Sequence, residues 1–169
     1  MLEIENVRVN HHKVLLSKAD FEATYKKIDS IKTALWECGN PFEWLDKEWM
    51  EKTYGKMDKE KGTFDTFNGD VTTLYAKGIE FNSNSHIVLF NTAFAKDNSL
   101  EILSHKILLD RKTTLEEFRK LFPNAEMEPM DTANEVRFRF YIKQDMDDAF
   151  LFFFKDGKLD SFCLWWLLC

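Results

Sequence analysis

The sequence is poor in the residues that interrupt secondary structure or cross-link a chain: its 169 residues include 6 glycines, 3 prolines and 3 cysteines. The scarcity of glycine and proline excludes collagen-like and low-complexity disordered chains. Cys38, Cys163 and Cys169 are an odd number of thiols without a C-x-x-C pair. This pattern predicts free, buried cysteines in a reducing cytoplasm.

Long hydrophobic runs are also missing. The longest, "FCLWWLLC" at 162–169, has eight residues, whereas a membrane-spanning helix needs roughly 20. Asp156, Lys158 and Asp160 lie directly upstream of it, which argues against a membrane anchor. The first residues have no apolar core of a signal peptide. We therefore expect a cytoplasmic protein that does not associate with membranes.

The chain has no excess of positive charge. Its 23 Lys and Arg residues and 29 Asp and Glu residues give a net charge of -6. Because nucleic-acid-binding proteins present a basic face to the phosphates, this balance argues against nucleic acid as a partner. An acidic protein suits a basic protein partner, although the same charge also serves solubility.

Catalytic signatures are absent as well. The sequence has no G-x-S-x-G, Walker A, G-x-G-x-x-G or H-E-x-x-H motif. His11 and His12 are adjacent, so on a strand they point to opposite faces and cannot chelate one ion. The "DMDD" at 145–148 lacks the glycine and the distal glutamate of a calcium loop. We expect no catalytic residue, no cofactor and no metal, while an enzyme with scattered carboxylates or histidines stays an alternative.

The chain is rich in aromatic residues, with 16 phenylalanines and hydrophobic residues at 44%, enough for a sizeable core. Three stretches predict helices: 18–29 behind Ser17, "PFEWLDKEWMEKTY" at 41–54, and 114–122. The last has a Thr114-x-x-Glu117 capping box, an apolar stripe and Pro123 as a stop.

Alternating and turn-bounded stretches predict strands in 4–16, 71–82, 85–95, 99–110 and 136–144, with an exposed loop at 55–70. The end of the chain predicts a hairpin at Asp156-Gly157 with its last strand in the core. Trp165 and Trp166 point to opposite faces of that strand, so we expect one of them to face outward.

Two segments match in letters and in context. "HKVLL" at 12–16 resembles "HKILL" at 105–109, and each precedes an amphipathic helix and then paired strands. The order predicts an α+β fold with antiparallel sheets packed by helices, built as a tandem repeat of a strand-helix-strands unit. The chain would then be one globular domain, 1–169, of two pseudo-repeats, 1–97 and 98–169. One α+β domain with a coincidental match is the alternative.

A family resemblance enters with "LYAKGIEFNSNSHIVLF" and the closing "FFFKDGKLDSFCLWW". With the acidic balance and the missing catalytic motif, these segments resemble the small bacterial immunity proteins of polymorphic-toxin, contact-dependent inhibition and type VI systems. The resemblance implies inhibition by binding: the protein would occlude a cognate protein toxin, for example a nuclease with a basic cleft.

The residues that would bind this partner are two aromatic anchors and five acidic groups: Trp44, Trp49, Glu43, Asp46, Asp145, Asp147 and Asp148. For each of them, a place in the core or on the solvated surface is the alternative. The alternative function is a helix-on-sheet domain whose aromatic residues line a cavity for a small ligand or lipid.

Overall fold

The structure is a computed structural model that describes residues 1–36 and 38–168. It is an α+β fold, as the sequence predicts. The helices are α1 (Lys18–Thr24), α2 (Phe42–Leu45), α3 (Lys47–Tyr54) and α4 (Leu115–Leu121), with 3-10 turns at Ile4–Asn6 and Leu103–His105. The strands are β1 (Val7–Val9), β2 (His12–Lys13), β3 (Leu15–Ser17), β4 (Ser30–Leu35), β5 (Met57–Asp58), β6 (Thr63–Phe64), β7 (Asp70–Ala76), β8 (Ile79–Ser83), β9 (Ile87–Phe94), β10 (Leu100–Ile102), β11 (Ile107–Leu109), β12 (Met127–Pro129), β13 (Glu135–Tyr141), β14 (Ala149–Lys155) and β15 (Lys158–Trp165).

One large antiparallel sheet organises the fold. Its order is β12-β13-β14-β15-β9-β8-β7-β4, with β3 also paired to β9. The β9–β15 pair joins edge to edge a four-stranded meander from each half of the chain, so the strand order is symmetric about this junction. That symmetry agrees with the order that the repeat hypothesis requires, and the tandem repeat itself stays a prediction.

A second sheet ties the two halves together. Its order is β11-β10-β1-β2, so β1 of the first half pairs with β10 of the second, Val7 lying opposite Ile102. The backbone N–H of Leu2 also donates to the carbonyl of Tyr141 at 2.8 Å. The predicted strand at 99–110 is wrong as a single element, because a 3-10 turn folds it into the β10–β11 hairpin.

Helices α1 and α4 begin behind the caps that the sequence predicts, and α1 ends earlier than predicted. Ser17 and Thr114 cap α1 and α4, and the capping box of Thr114 with Glu117 is complete. Helix α1 ends at Thr24 rather than at residue 29, because Tyr25 leaves the helical region and the chain turns to form β4. The predicted helix at 41–54 is two helices, interrupted at Asp46, where φ is -139°.

Helices α1 and α4 cover the same face of the large sheet, here called the inner face. Phe21 of α1 contacts Phe81 of β8, and Phe118 of α4 lies among phenyl rings at centroid distances of 4.8–6.0 Å. The rings around Phe118 are Phe122, Phe138, Phe140, Phe152 and Phe154. The space between α4 and the sheet is therefore filled by side chains.

Part of the opposite, outer face is covered by the segment 36–69. Val71, Asn82 and Leu89 alternate with inner-face residues and so point outward, yet all three are buried. The segment contributes buried side chains of its own: Phe42, Met50, Phe64 and Phe67. Asn84 fixes it to the sheet through Asp46 Oδ2 at 2.8 Å. The predicted loop at 55–70 includes the small β5–β6 hairpin of this segment.

Two hairpin turns have the backbone conformation that their sequences predict. The turns Lys77-Gly78 and Asp156-Gly157 have positive φ at both residues.

Cys38 is disulfide-bonded and exposed, which corrects the expectation of a free, buried thiol at this position. Cys163 is free, and Cys169 lies outside the described residues. Within 1–36 and 38–168, none of the helices has the length and hydropathy to cross a bilayer.

Candidate partner-binding surface

The uncovered part of the outer face carries a band of aromatic and arginine side chains, here called the outer strip. Its members lie on β9, β13, β14 and β15: Phe94, Arg137, Arg139, Tyr141, Phe153 and Trp165. The register places them in cross-strand rows, one of which runs from Arg137 through Phe153 and Ser161 to Phe94. Since neighbouring strands lie about 4.8 Å apart, each row forms a continuous surface.

The strip exposes large apolar groups. Phe94 is 63% exposed and Tyr141 is 45% exposed, while Phe153 and Trp165 are half-buried beside them. Trp166, the next residue, is 8% exposed and packs inside the protein. The sequence expectation that one of the two tryptophans faces outward is confirmed, and the outward one is Trp165.

The arginines of the strip share one carboxylate. Glu128 of β12 accepts hydrogen bonds from Arg137 Nε at 2.7 Å and from Arg139 Nε at 3.1 Å. Desolvation alone would raise the pKa of Glu128, but the hydrogen bonds from the two arginines outweigh it, and the pKa is lowered. Two guanidinium groups against one carboxylate leave a net positive charge and free N–H donors on the surface, which suit a carboxylate or carbonyl of a partner.

Cys163 lies on the same face, opposite Leu151 of β14 and Thr92 of β9. Burial raises the pKa of its thiol to about 11, so the thiolate is scarce at neutral pH. This cysteine contributes packing to the strip and is a poor nucleophile.

Two of the sequence-predicted regions meet at the end of the strip. Trp44 of α2 lies edge-on to Trp166 at 5.6 Å, and Lys143 Nζ lies 4.3 Å from the centroid of the Trp44 ring. Lys143 belongs to the connection between β13 and β14, which also carries Asp145 and Asp147, both exposed. The structure thus brings Trp44 next to this acidic connection, directly beyond Tyr141.

Asp148, in the same connection, differs from its neighbours. Its side chain is buried and accepts a hydrogen bond from the backbone N–H of Leu167 at 2.9 Å. Desolvation raises the pKa of this carboxyl group. The acidic connection therefore offers Asp145 and Asp147 to solvent, while Asp148 holds the chain after β15.

The other predicted residues form contacts within the segment 36–69 and its neighbours. Trp49 stacks on His86 at 5.0 Å with a 6° angle between the rings, and Asp46 Oδ2 lies 2.8 Å from His86 Nδ1. Glu43 accepts a hydrogen bond from the hydroxyl of Thr63 at 2.6 Å. These three side chains support the segment and lie apart from the outer strip.

The space between α4 and the sheet bears on the alternative of a ligand cavity. The phenyl rings around Phe118 occupy the space where a helix-on-sheet ligand would lie. An open groove of about 560 Å³ lies outside the core, between Phe122, Arg139, Tyr141 and Leu2. Among the described residues, no three His, Cys, Asp or Glu side chains gather closely enough to hold a metal ion.

Comparison with known proteins finds no matching family model, no matching curated protein and no matching solved structure.

The sequence pattern indicates only part of the outer strip. The alternation in "VRFRFY" puts Arg137, Arg139 and Tyr141 on one face of a strand, although none of the three is among the predicted binding residues. It missed Phe94 and Phe153, because their place beside the arginines depends on strand pairs that are distant in sequence.

Proposed function

We propose that this protein is a non-catalytic binding protein that neutralises a cognate protein toxin by covering it. The observation that carries the proposal is the exposed aromatic surface of the outer strip, where Phe94 is 63% exposed on the same sheet face as Trp165 and Arg139. Tryptophan, tyrosine and arginine are the residues that most often dominate the binding energy of protein interfaces. A monomeric protein rarely leaves such groups together on an open sheet face without a use for them.

The partner class rests on the resemblance to bacterial immunity proteins. A toxin with a basic cleft, such as a nuclease, would meet the exposed carboxylates of Asp145 and Asp147 at the end of the strip. Complementary charges of this kind chiefly accelerate association. The aromatic groups of the strip would supply most of the affinity.

The proposed location is the cytoplasm, where such a nuclease would act. The disulfide of Cys38 provides a test of that location, because disulfides are rare in reducing compartments. Alkylation of Cys38 in freshly lysed cells would support the cytoplasm, and protection of this thiol would contradict it.

The function is tested by searching the neighbouring open reading frames for a toxin-like domain and co-expressing that domain with this protein, followed by a pull-down and calorimetry. Phe94→Ser should weaken binding about tenfold or more, as truncation of an interface anchor does. Leu108→Ser is the matched control, since Leu108 is 55% exposed but lies on β11 of the other sheet. Absence of binding or of cell rescue would refute the proposed function. Equal affinity of the two variants would refute the assignment of the outer strip as the binding surface.

A second measurement addresses the acidic connection. The variant with Asp145→Lys and Asp147→Lys should associate more slowly at low salt, and the difference should shrink as salt screens the charges. An unchanged association rate would remove this connection from the interface.

A further inference from the structure

Strand β4 is an open edge of the large sheet. All six of its residues, Ser30–Leu35, pair with β7, and within the described residues no strand pairs with its other side. Ile31 is 62% exposed and Leu35 is 59% exposed. An edge strand of this length with exposed apolar side chains is a template for pairing with another chain.

The hydrogen-bond pattern fixes which backbone groups are open. Trp36 N–H donates to Gly69 O at 2.9 Å, in the register that continues the β4–β7 pair. Because bonded and non-bonded pairs alternate in an antiparallel ladder, Ser30, Lys32 and Ala34 bond to β7. The N–H and C=O groups of Ile31, Thr33 and Leu35 therefore point away from the sheet.

We infer that β4 binds β4 of a second copy of this chain, antiparallel, around a two-fold axis at Thr33. In this register the hydrogen-bonded positions are Ile31, Thr33 and Leu35, the same residues whose backbone groups are open. Each of these residues would donate one hydrogen bond to the second copy and accept one from it. Ile31 then lies opposite Leu35 of the second copy, twice, and Thr33 lies opposite its equivalent. Apolar and threonine cross-strand pairs stabilise a sheet.

Lys32 is the residue that would oppose this association, because lysines often protect sheet edges. Its ammonium group lies 5.5 Å from the centroid of the Tyr75 ring on β7, which draws it away from the edge. The two-fold axis also places Lys32 opposite Ala34 of the second copy and not opposite the second Lys32. Like charges are therefore not directly paired.

The chain already contains a junction of this kind. β9 and β15 join two four-stranded meanders edge to edge through three residue pairs. The β4 contact would extend the same sheet beyond its β4 edge. Because one short strand per copy buries little surface, we expect a weak dimer with a dissociation constant of about 0.1 mM. This association is independent of toxin binding.

Sedimentation velocity over a concentration series tests the inference. The variants with Ile31→Glu plus Leu35→Glu, and with Ile31→Lys plus Leu35→Lys, should each stay monomeric. An equimolar mixture should regain the dimer, because the register brings each glutamate opposite a lysine. Leu108→Glu is the control and should dimerise as the natural chain does, and circular dichroism verifies that all variants are folded.

Thr33→Pro gives a second, uncharged variant. It removes only the outward N–H at the centre of the contact, because the bonds to β7 belong to its neighbours. Loss of the dimer in this variant would support the register. A natural chain that stays monomeric up to about 1 mM would overturn the inference, as would a dimer that survives in both charged variants or a mixture that stays monomeric.

Discussion

The guanidinium group of Arg139 lies over the ring of Trp165, 5.1 Å from its centroid. Trp165 and Trp166, adjacent at the end of β15, have different environments: Trp165 contacts Arg139 on the outer face, whereas Trp166 is buried against Trp44. Trp165 belongs to the outer strip, and Trp166, directly after β15, packs against Trp44 of α2. The two side chains should therefore separate into a binding role and a stability role.

Replacing each tryptophan by alanine tests this separation. Trp166→Ala should lower the free energy of unfolding by about 3–5 kcal/mol, as the loss of a buried aromatic side chain does. Trp165→Ala should lower the free energy of unfolding by about 1–2 kcal/mol, because its half-exposed ring removes less apolar surface from water than the buried ring of Trp166 does. Urea denaturation measures both, and equal losses would contradict the assignment.

The carboxylate shared by Arg137 and Arg139 should make stability depend on pH. The pKa of Glu128 is lowered in the folded protein, so its ionised form stabilises the fold above its ordinary pKa, and this contribution is lost as the pH falls through the lowered value. Glu128→Gln should lower the free energy of unfolding by about 1–2 kcal/mol at pH 7 and by less in acid.

Glu116→Gln is the control for this variant. Glu116 also pairs with a cation, Lys120, but its side chain is 78% exposed, so its removal should change stability little. The two variants are compared by their denaturation midpoints between pH 3 and pH 7, a range that includes the ordinary carboxyl pKa of about 4. A loss that is as large at acidic as at neutral pH would show that Glu128 acts by packing alone.

Asp148 should show the opposite sign. Burial raises its pKa in the folded protein, so the folded state holds the proton more tightly, and stability falls as the pH rises from the ordinary pKa through the raised one. Asp148→Asn keeps an oxygen for the N–H of Leu167 and removes the buried charge. The variant should be more stable than the natural chain at neutral pH, with the difference vanishing in acid.

Asp145→Asn, at an exposed residue of the same connection, should leave stability unchanged across the same pH range. A destabilised Asp148→Asn protein at neutral pH would mean that the ionised carboxylate has a stabilising partner.

Two glycines provide a matched test of the outer-face segment. Gly69 has φ +86°, and a Cβ there would lie 2.8 Å from the carbonyl oxygen of Trp36. Gly62 has φ +72° but no atom within 4 Å of such a Cβ. Gly62→Ala should cost about 1–2 kcal/mol of strain, and Gly69→Ala should cost more because backbone atoms must also move. Thermal unfolding compares the variants, and similar losses would refute the steric argument.

Local features of the fold could be read from the sequence because their causes lie within a few residues. The capping box of Thr114 and Glu117 and the turn at Asp156-Gly157 belong to this class. Strand β4 could not be found in this way, since an edge strand that is exposed on both faces has no alternating pattern. Its identity as a strand depends on β7, about 40 residues away.

The candidate surface was only half predictable for the same reason. The spacing of Arg137 and Arg139 reveals that they share a face, but nothing near them in the sequence indicates Phe94 as a member of the same surface. Likewise, the contact of Trp44 with Lys143 joins segments that are distant along the chain. Binding surfaces on sheets are assembled by long-range pairing, which a local pattern does not contain.

The pairing of β1 with β10, and of Leu2 with Tyr141, has a consequence for how the protein is made. During translation β1 leaves the ribosome with only β2 beside it, and its second partner follows after roughly ten seconds at ordinary rates of synthesis. Until β10 is synthesised, the edge of β1 that pairs with it has unpaired backbone N–H and C=O groups. We expect a nascent chain that stops before β10 to be captured by chaperones, and its release to coincide with synthesis of that strand.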